Sequence, residues 1–247
     1  MQIHSAAYTH VGRRARNEDA YYLAPKAGVY AVADGMGGHE GGQVASRLAV
    51  SALDEFVRRL LADPEATWPH AQIPGHSFAE SMALVATRAA HDAVTAHRTG
   101  ELATMGTTLV LMLVRTDHVV VAHVGDSRLY RLRDGQLTQL TRDHSLYEEL
   151  RAAGGDLPPL ESFPYAHHIT RALGVCAQAD VATHALRPGD RYLLCSDGLT
   201  DALDDDDIAA LLARGSAADA ACHLSERAYE AGSRDNITTV VVVAGSG

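Results

Sequence analysis

Residues 29–46 read VYAVADGMGGHEGGQVAS. An apolar, strand-like run from Val29 to Ala33 meets Asp34, and Gly35, Gly37, Gly38, Gly41 and Gly42 then lead into a helical pattern. Asp34 stands where the strand is expected to stop, and the glycines leave its carboxylate and the nearby backbone open to a ligand. The helical pattern covers about 41–62, with Ala45, Leu48, Ala49, Ala52, Leu53, Phe56, Val57 and Leu60 at helical spacing. A second pattern covers about 77–98, with Phe78, Met82, Val85, Ala89 and Ala93. Two helices in succession break the alternation of a parallel βαβ sheet.

Outward from this stretch, 2–9, 20–24 and 28–33 read as strands before the helices, being rich in Val, Tyr, Ile and Thr and bounded by turn residues. After them 107–114, 119–124, 128–133, 136–140, 191–195 and 237–243 read the same way, with further helices near 204–213 and 217–231. Arg133-Asp134-Gly135-Gln136 is expected to be a hairpin turn. The order predicts an α+β fold, antiparallel sheets with helices packed outside. The Gly, Pro and His content of 153–168 predicts a loop, and 1–247 is expected to form one domain.

The composition excludes several classes. A formal net charge of -10 argues against a nucleic-acid binder and against adhesion to anionic lipid. The polar start MQIHSAAYTH lacks the regions of a signal peptide, and no run approaches the ~18 apolar residues of a membrane span, which favours the cytoplasm. Cys176, Cys195 and Cys222 are far apart and suggest small core residues rather than disulfides or a zinc site.

Four carboxylates share one placement: Asp34 follows VYAVA, Asp126 follows VVVAHVG, Asp197 follows RYLLCS, and Asp235 precedes NITTVVVV. If those strands are antiparallel neighbours, the four converge at one sheet edge. Alone, each could simply cap a turn. Together they would repel unless cations neutralised them, and an oxygen-only donor set suits Mg²⁺ or Mn²⁺. Two such ions sharing Asp34 and a water would make hydroxide available near neutral pH, for which a phosphate ester is the natural electrophile. Arg14 and Arg16, just ahead of NEDA, are candidates to receive its dianion.

GRRARNEDA (12–20), ADGMGGHEGGQVAS (33–46), MGTTLV (105–110), VGDSRLYRLRDG (124–135), LTRDHS (140–145), ITRALG (169–174), CSDGLTDAL (195–203) and SRDNITTVVV (233–242) follow one another along the chain. This series resembles the ordered motifs of the metal-dependent Ser/Thr protein phosphatases, the PPM or protein phosphatase 2C family, and is most similar to the bacterial stand-alone catalytic domain. The resemblance implies an αββα four-layer sandwich, two antiparallel sheets flanked by antiparallel helices, with two tightly bound Mn²⁺ or Mg²⁺ ions and a third, weaker one. It implies that Asp34 bridges the two metals, that the Gly35 carbonyl binds one, and that Asp197 and Asp235 hold the other. Asp126 would join Asp197 at the third site. Glu18 and Asp19 would act through metal-bound waters, Asn236 would stand behind the ligands, and Arg14 would grip the substrate phosphate. The implied activity is hydrolysis of phosphoserine and phosphothreonine on proteins, opposing a cytoplasmic Ser/Thr kinase, by a monomer. A catalytically weak binding or partner-switching module on the same fold is the alternative.

The chain also departs from the family pattern. Many eukaryotic members have a His at the position of Met36, proposed as general acid; Met cannot donate a proton, which leaves His39, a metal-bound water or no acid at all. Arg13, Arg14 and Arg16 lie close together, and the segment at about 145–169 corresponds to the family's variable flap. Two other signals fail: the glycines do not complete a dinucleotide loop, because residue 40 is Glu, and HEGGQ lacks the second His of a zinc-protease helix, having Gln43. Most of the fourteen histidines are expected to be solvent-facing or hydrogen-bonded, with His167-His168 the pair to watch. Asp204 to Asp207 is expected to be a solvated helix N-terminus.

Overall fold

A computed structural model describes residues 1–38, 40–62 and 73–245. Strands β1 (Ile3–His10), β2 (Asp19–Ala24) and β3 (Val29–Met36) precede helices α1 (Gly41–Ala62) and α2 (Phe78–Ala96). Next come β4 (Gly106–Thr107), β5 (Leu109–Val114), β6 (His118–Val124), β7 (Arg128–Arg133), β8 (Gln136–Gln139) and helix α3 (Leu146–Ala152). The chain closes with β9 (Asp180–Ala185), β10 (Arg191–Cys195), α4 (Asp197–Thr200), α5 (Asp205–Leu212), α6 (Ala217–Glu230) and β11 (Ile237–Ala244). One sheet has the order β1-β11-β10-β7-β8 and the other β2-β3-β5-β6-β9, with β4 extending β3. Every pairing is antiparallel.

Alternation along the strands builds three apolar layers. On β3, Val29, Ala31 and Ala33 pack under α1 and α2 with Ala45, Ala49, Leu53, Val57, Ala86 and Ala90. Tyr30 and Val32 point the other way and meet Leu129, Tyr192, Leu194, Val240 and Val242 between the two sheets. The outer face of the second sheet, with Tyr130, Leu193, Cys195 and Val241, is covered by Ile208, Leu212, Ala220, Ala221 and Leu224 of α5 and α6. A fully buried Leu such as Leu53 contributes about 2 kcal/mol by leaving water. The result is the αββα sandwich. Asp34 shares the parity of Tyr30 and Val32, so it projects into the inter-sheet space at its end.

Several expectations need correction. Asp34 does not end its strand: β3 runs on through Gly35 and Met36, because β4 continues the ladder with Gly35 opposite Thr107 and Met36 opposite Gly106. The strand expected over 107–114 is broken at Thr108, which bonds to Asp34 instead. Strand β9 is absent from the sequence reading, since DVATHA lies at a sheet edge with no fully buried residue and shows no apolar alternation. Helix α3 was likewise not expected; none of its residues is buried, and the Ser145 hydroxyl, which accepts from the Glu148 N–H, caps it. Of the cysteines only Cys195 is buried, the other two being half-buried, and all three are free. The hairpin turn is as expected, with Arg133 opposite Gln136. Asp204 to Asp207 do open a helix, the Asp204 carboxylate accepting from the Asp207 N–H at 2.8 Å. Among the described residues no helix is long and apolar enough to cross a membrane.

Candidate metal centre

The expected convergence of strand ends occurs at one end of the sandwich. Asp19 opens β2 and lies opposite Asp34 in the β2–β3 register. Asp126 follows β6, Asp197 begins the one-turn α4 directly after β10, and Asp235 precedes β11. Two adjoining hollows of about 790 and 530 Å³ share Arg14, Asp126, His167, Asp197 and Asp235; the smaller adds Glu18, Asp34, Gly35 and Met36.

Close backbone packing makes this possible. A Cβ on Gly35 would stand 2.0 Å from the Gly42 carbonyl oxygen and 2.6 Å from that of Glu18, so only glycine lets β3, α1 and β2 meet here. Gly198 plays the same part between α4 and β11, where a Cβ would stand 2.0 Å from the Asn236 carbonyl oxygen. The Asp34 backbone is clamped by two threonines. Its N–H donates to the Thr108 hydroxyl at 2.9 Å, and its carbonyl accepts from the Thr107 hydroxyl and the Thr108 N–H, both at 2.8 Å. Asn236 organises the loop before β2: its amide donates to the Val11 and Arg16 carbonyls at 2.8 and 2.9 Å, and its carbonyl accepts from the Glu18 N–H at 2.8 Å.

The carboxylates are mutually destabilising when charged. Burial first, then Asp19, Asp197 and Asp126, push Asp34 well above the usual carboxylate range. Burial and the charges of Asp126, Asp201, Asp235 and Asp19 do the same to Asp197. Asp19 and Asp126, chiefly through burial, rise to about 6. Asp19 keeps one oxygen on the Ser196 hydroxyl at 2.8 Å, but its Oδ1 and the Oδ1 of Asp197 are buried with no hydrogen-bond partner. Buried, unpartnered anionic oxygens of this kind fit hard divalent cations, which supply both the missing ligand and the missing charge.

The three arginines before β2 have different partners, although Arg16 lines the smaller hollow together with Arg14. Arg14 lines both hollows and its Nη2 donates to Asp235 Oδ2 at 2.6 Å. Arg13 lies over the Tyr229 ring, 6.0 Å from its centroid, and Arg16 pairs with Glu40 at 2.7 Å. Met36 lines the smaller hollow and brings no acid; His39 lies outside the described residues. His167 does approach the site, its Nδ1 3.7 Å from Asp201 Oδ2, with Asp197 in the same group. Asp201 joins the site without being expected there, although it sits four residues after Asp197, a spacing that puts both on one side of a helical turn. Thr107 and Thr108 were also not expected to have a role, their only signal being the stretch MGTTLV.

A family model described as protein phosphatase 2C matches residues 7–229. The chain belongs to this family. It is 40% identical over 232 residues to the serine/threonine protein phosphatase PstP of Mycobacterium tuberculosis, covering 92% of this chain but 42% of that protein. The chain thus spans about two fifths of the length of that relative. It is 34% identical over 252 residues to the serine/threonine phosphatase stp of Listeria welshimeri, covering 97% and 95% of the two chains. Among solved structures, the catalytic domain of PstP in complex with two manganese ions superposes with a TM-score of 0.83 at 37% identity, covering 99% of each chain.

Proposed function

We propose that this protein phosphatase 2C chain is a metal-dependent hydrolase of phosphoserine and phosphothreonine in proteins, working as one catalytic domain. The observation that supports it best is the ring of buried carboxylates with unpartnered oxygens opening into a cleft beside Arg14. Asp34, the Gly35 carbonyl, Asp197 and Asp235 would hold two ions, and Asp126 would join Asp197 in holding a weaker third. The relative PstP has been crystallised with two manganese ions, and the all-oxygen donor set here suits Mn²⁺ or Mg²⁺. Bound ions supply an activated water and withdraw charge from the phosphoryl oxygens.

The chain's own residues do the rest. Glu18 and Asp19 act from behind through waters, and Asn236 keeps the Arg14 loop against β11. Arg14 donates to Asp235 beside the cleft, and its planar fork would hold the substrate phosphate there. The inert-module alternative is disfavoured by the complete carboxylate set. A cytoplasmic setting, an opposing Ser/Thr kinase and a monomeric state belong to the same reading.

The test is phosphate release from a phosphothreonine peptide. Turnover is expected with Mn²⁺ or Mg²⁺ and to vanish in chelator, and undiminished turnover after metal stripping would overturn the reading. Within that assay, Arg14→Ala should lower kcat/KM by about 10- to 100-fold, whereas Arg13→Ala and Arg16→Ala stay within about threefold of wild type. Equal small effects at all three positions would return Arg14 to the surface.

A further inference from the structure

Two quoted motifs, LTRDHS and ITRALG, play no part in the chemistry above, yet they meet beside Asp126. His144 is 3% exposed and forms a reciprocal pair with Gly125: its N–H donates to the Gly125 carbonyl at 2.9 Å, and the Gly125 N–H donates to His144 Nδ1 at 3.1 Å. Because Nδ1 accepts, the ring proton sits on Nε2, 3.3 Å from Asp180 Oδ2. Burial and the neighbouring His123 hold His144 down to about 4, so the ring is neutral near pH 7. His123 stacks on it with centroids 4.5 Å apart and donates from Nε2 to the Arg142 carbonyl at 2.8 Å.

The preceding residue grips the other side of the same turn. Asp143 accepts from Arg128 Nε at 3.0 Å and from Arg128 Nη2 at 2.7 Å. The Asp143-His144 dipeptide therefore brackets Asp126 from Gly125 to Arg128. It also receives the far end of the flap: the Thr170 N–H donates to the His144 carbonyl at 2.7 Å, and Ser145 pairs with Ile169.

His123, His144 and Asp180 lie close enough together to suggest a metal triad. Arg171 argues against it, because its Nη1 already donates to Asp180 Oδ1 at 2.9 Å. The cluster is already neutralised by the chain's own cation, and Nδ1 is committed to Gly125.

We propose that His144 is a positioning residue that holds the Asp126 carboxylate in the cleft through Gly125 and fastens the end of the flap to the same point through Thr170. The reason lies in what surrounds the turn. Asp126 is buried and is repelled by Asp143 and Asp201, with a backbone N–H and Arg128 offsetting them only in part, so a turn without the His144 contact would let the carboxylate move outward. The proposal rests on the phosphatase reading for its catalytic consequence, but not for its structural one.

His144→Asn and His144→Leu test it, since the Asn side-chain oxygen can replace Nδ1 as acceptor for the Gly125 N–H and Leu cannot. In metal-free protein, hydrogen exchange at the Gly125 amide should quicken at least about tenfold in His144→Leu and stay within about threefold of wild type in His144→Asn. Calorimetric Mn²⁺ titration should show the two tight sites retained in both variants, with the weak-site affinity about 10-fold lower in the Leu variant only. On phosphothreonine peptide the Leu variant should lose about 10- to 100-fold in kcat with little change in KM. Wild-type exchange and weak-site affinity in His144→Leu, or an Asn variant as damaged as the Leu variant, would overturn the proposal. Should His144→Leu not fold, the Asn variant decides alone, a tenfold loss of weak-site affinity counting against it. If wild-type protein binds Mn²⁺ yet releases no phosphate, the phosphatase reading fails, and amide exchange and metal titration still decide this inference.

Discussion

Asp34→Asn should lower kcat on a phosphothreonine peptide by at least about 10³-fold while raising the Tm of the metal-free protein. The two effects share one cause. Asp34 is buried against the carboxylates of Asp19, Asp197 and Asp126, and all three disfavour its charge. An amide of the same shape removes that repulsion, about 1–2 kcal/mol or roughly 3–6 °C at this chain length. The same change removes the anion that two ions would share. Folding should not suffer, because the contacts that hold Asp34 in place run from its backbone to Thr107 and Thr108. Asp235→Asn should also lose turnover but gain no Tm, since the Asp235 carboxylate is paired with Arg14. Thermal melts in chelator beside steady-state kinetics decide the matter. Near-normal turnover would remove Asp34 from the centre, and a lower Tm in chelator would contradict the repulsion.

The stabilisation that Mn²⁺ gives should grow with pH. Asp19 and Asp126 rise from 3.8 to about 6 on folding, and Asp34 and Asp197 move further in the same direction. Between these limits the folded state holds more protons than the unfolded one. The four groups therefore weaken the metal-free fold as pH rises from about 4 through 6 and beyond. Cation binding requires the deprotonated forms, so it releases protons and gains strength over the same window. The Tm increase on adding Mn²⁺ should be small at about pH 5 and larger by about 5 °C or more at pH 8. His144, held down to about 4, acts in the opposite sense, its contribution falling as pH drops below the ordinary histidine range. It does so with and without metal, so the difference between the two melts isolates the carboxylates. A Tm increase independent of pH would dissociate them from the ions.

Much of the scaffold was legible because burial imposes periods on it. The pattern over 41–62 became α1, Gly41–Ala62, and that over 77–98 became α2, Phe78–Ala96, where Ser77 and Glu80 form a capping box. The apolar runs at 191–195 and 237–243 became central strands β10 and β11. What escaped detection was exposed or short: β9 at an edge, α3 with no buried face, and the two-residue β4. The strands β9 and β4 are held by partners far away in the chain and α3 by its Ser145 cap, and none of the three carries a periodic trace.

The sequence by itself determined the layers and the carboxylates' approximate place. Period-2 runs bury both faces of two sheets, period-3.6 runs cover them, and an Asp next to a buried strand must emerge near a sheet edge. Only the tertiary structure decided which neighbours each group meets. It carried β3 past Asp34, sent Arg13 to Tyr229 and Arg16 to Glu40 so that Arg14 alone of the three pairs with Asp235, and brought His144 against Gly125. Those outcomes depend on distances between segments up to 221 residues apart, as between Arg14 and Asp235. Local pattern has no term for such distances, because they are set by how whole sheets pack and not by the residues that meet.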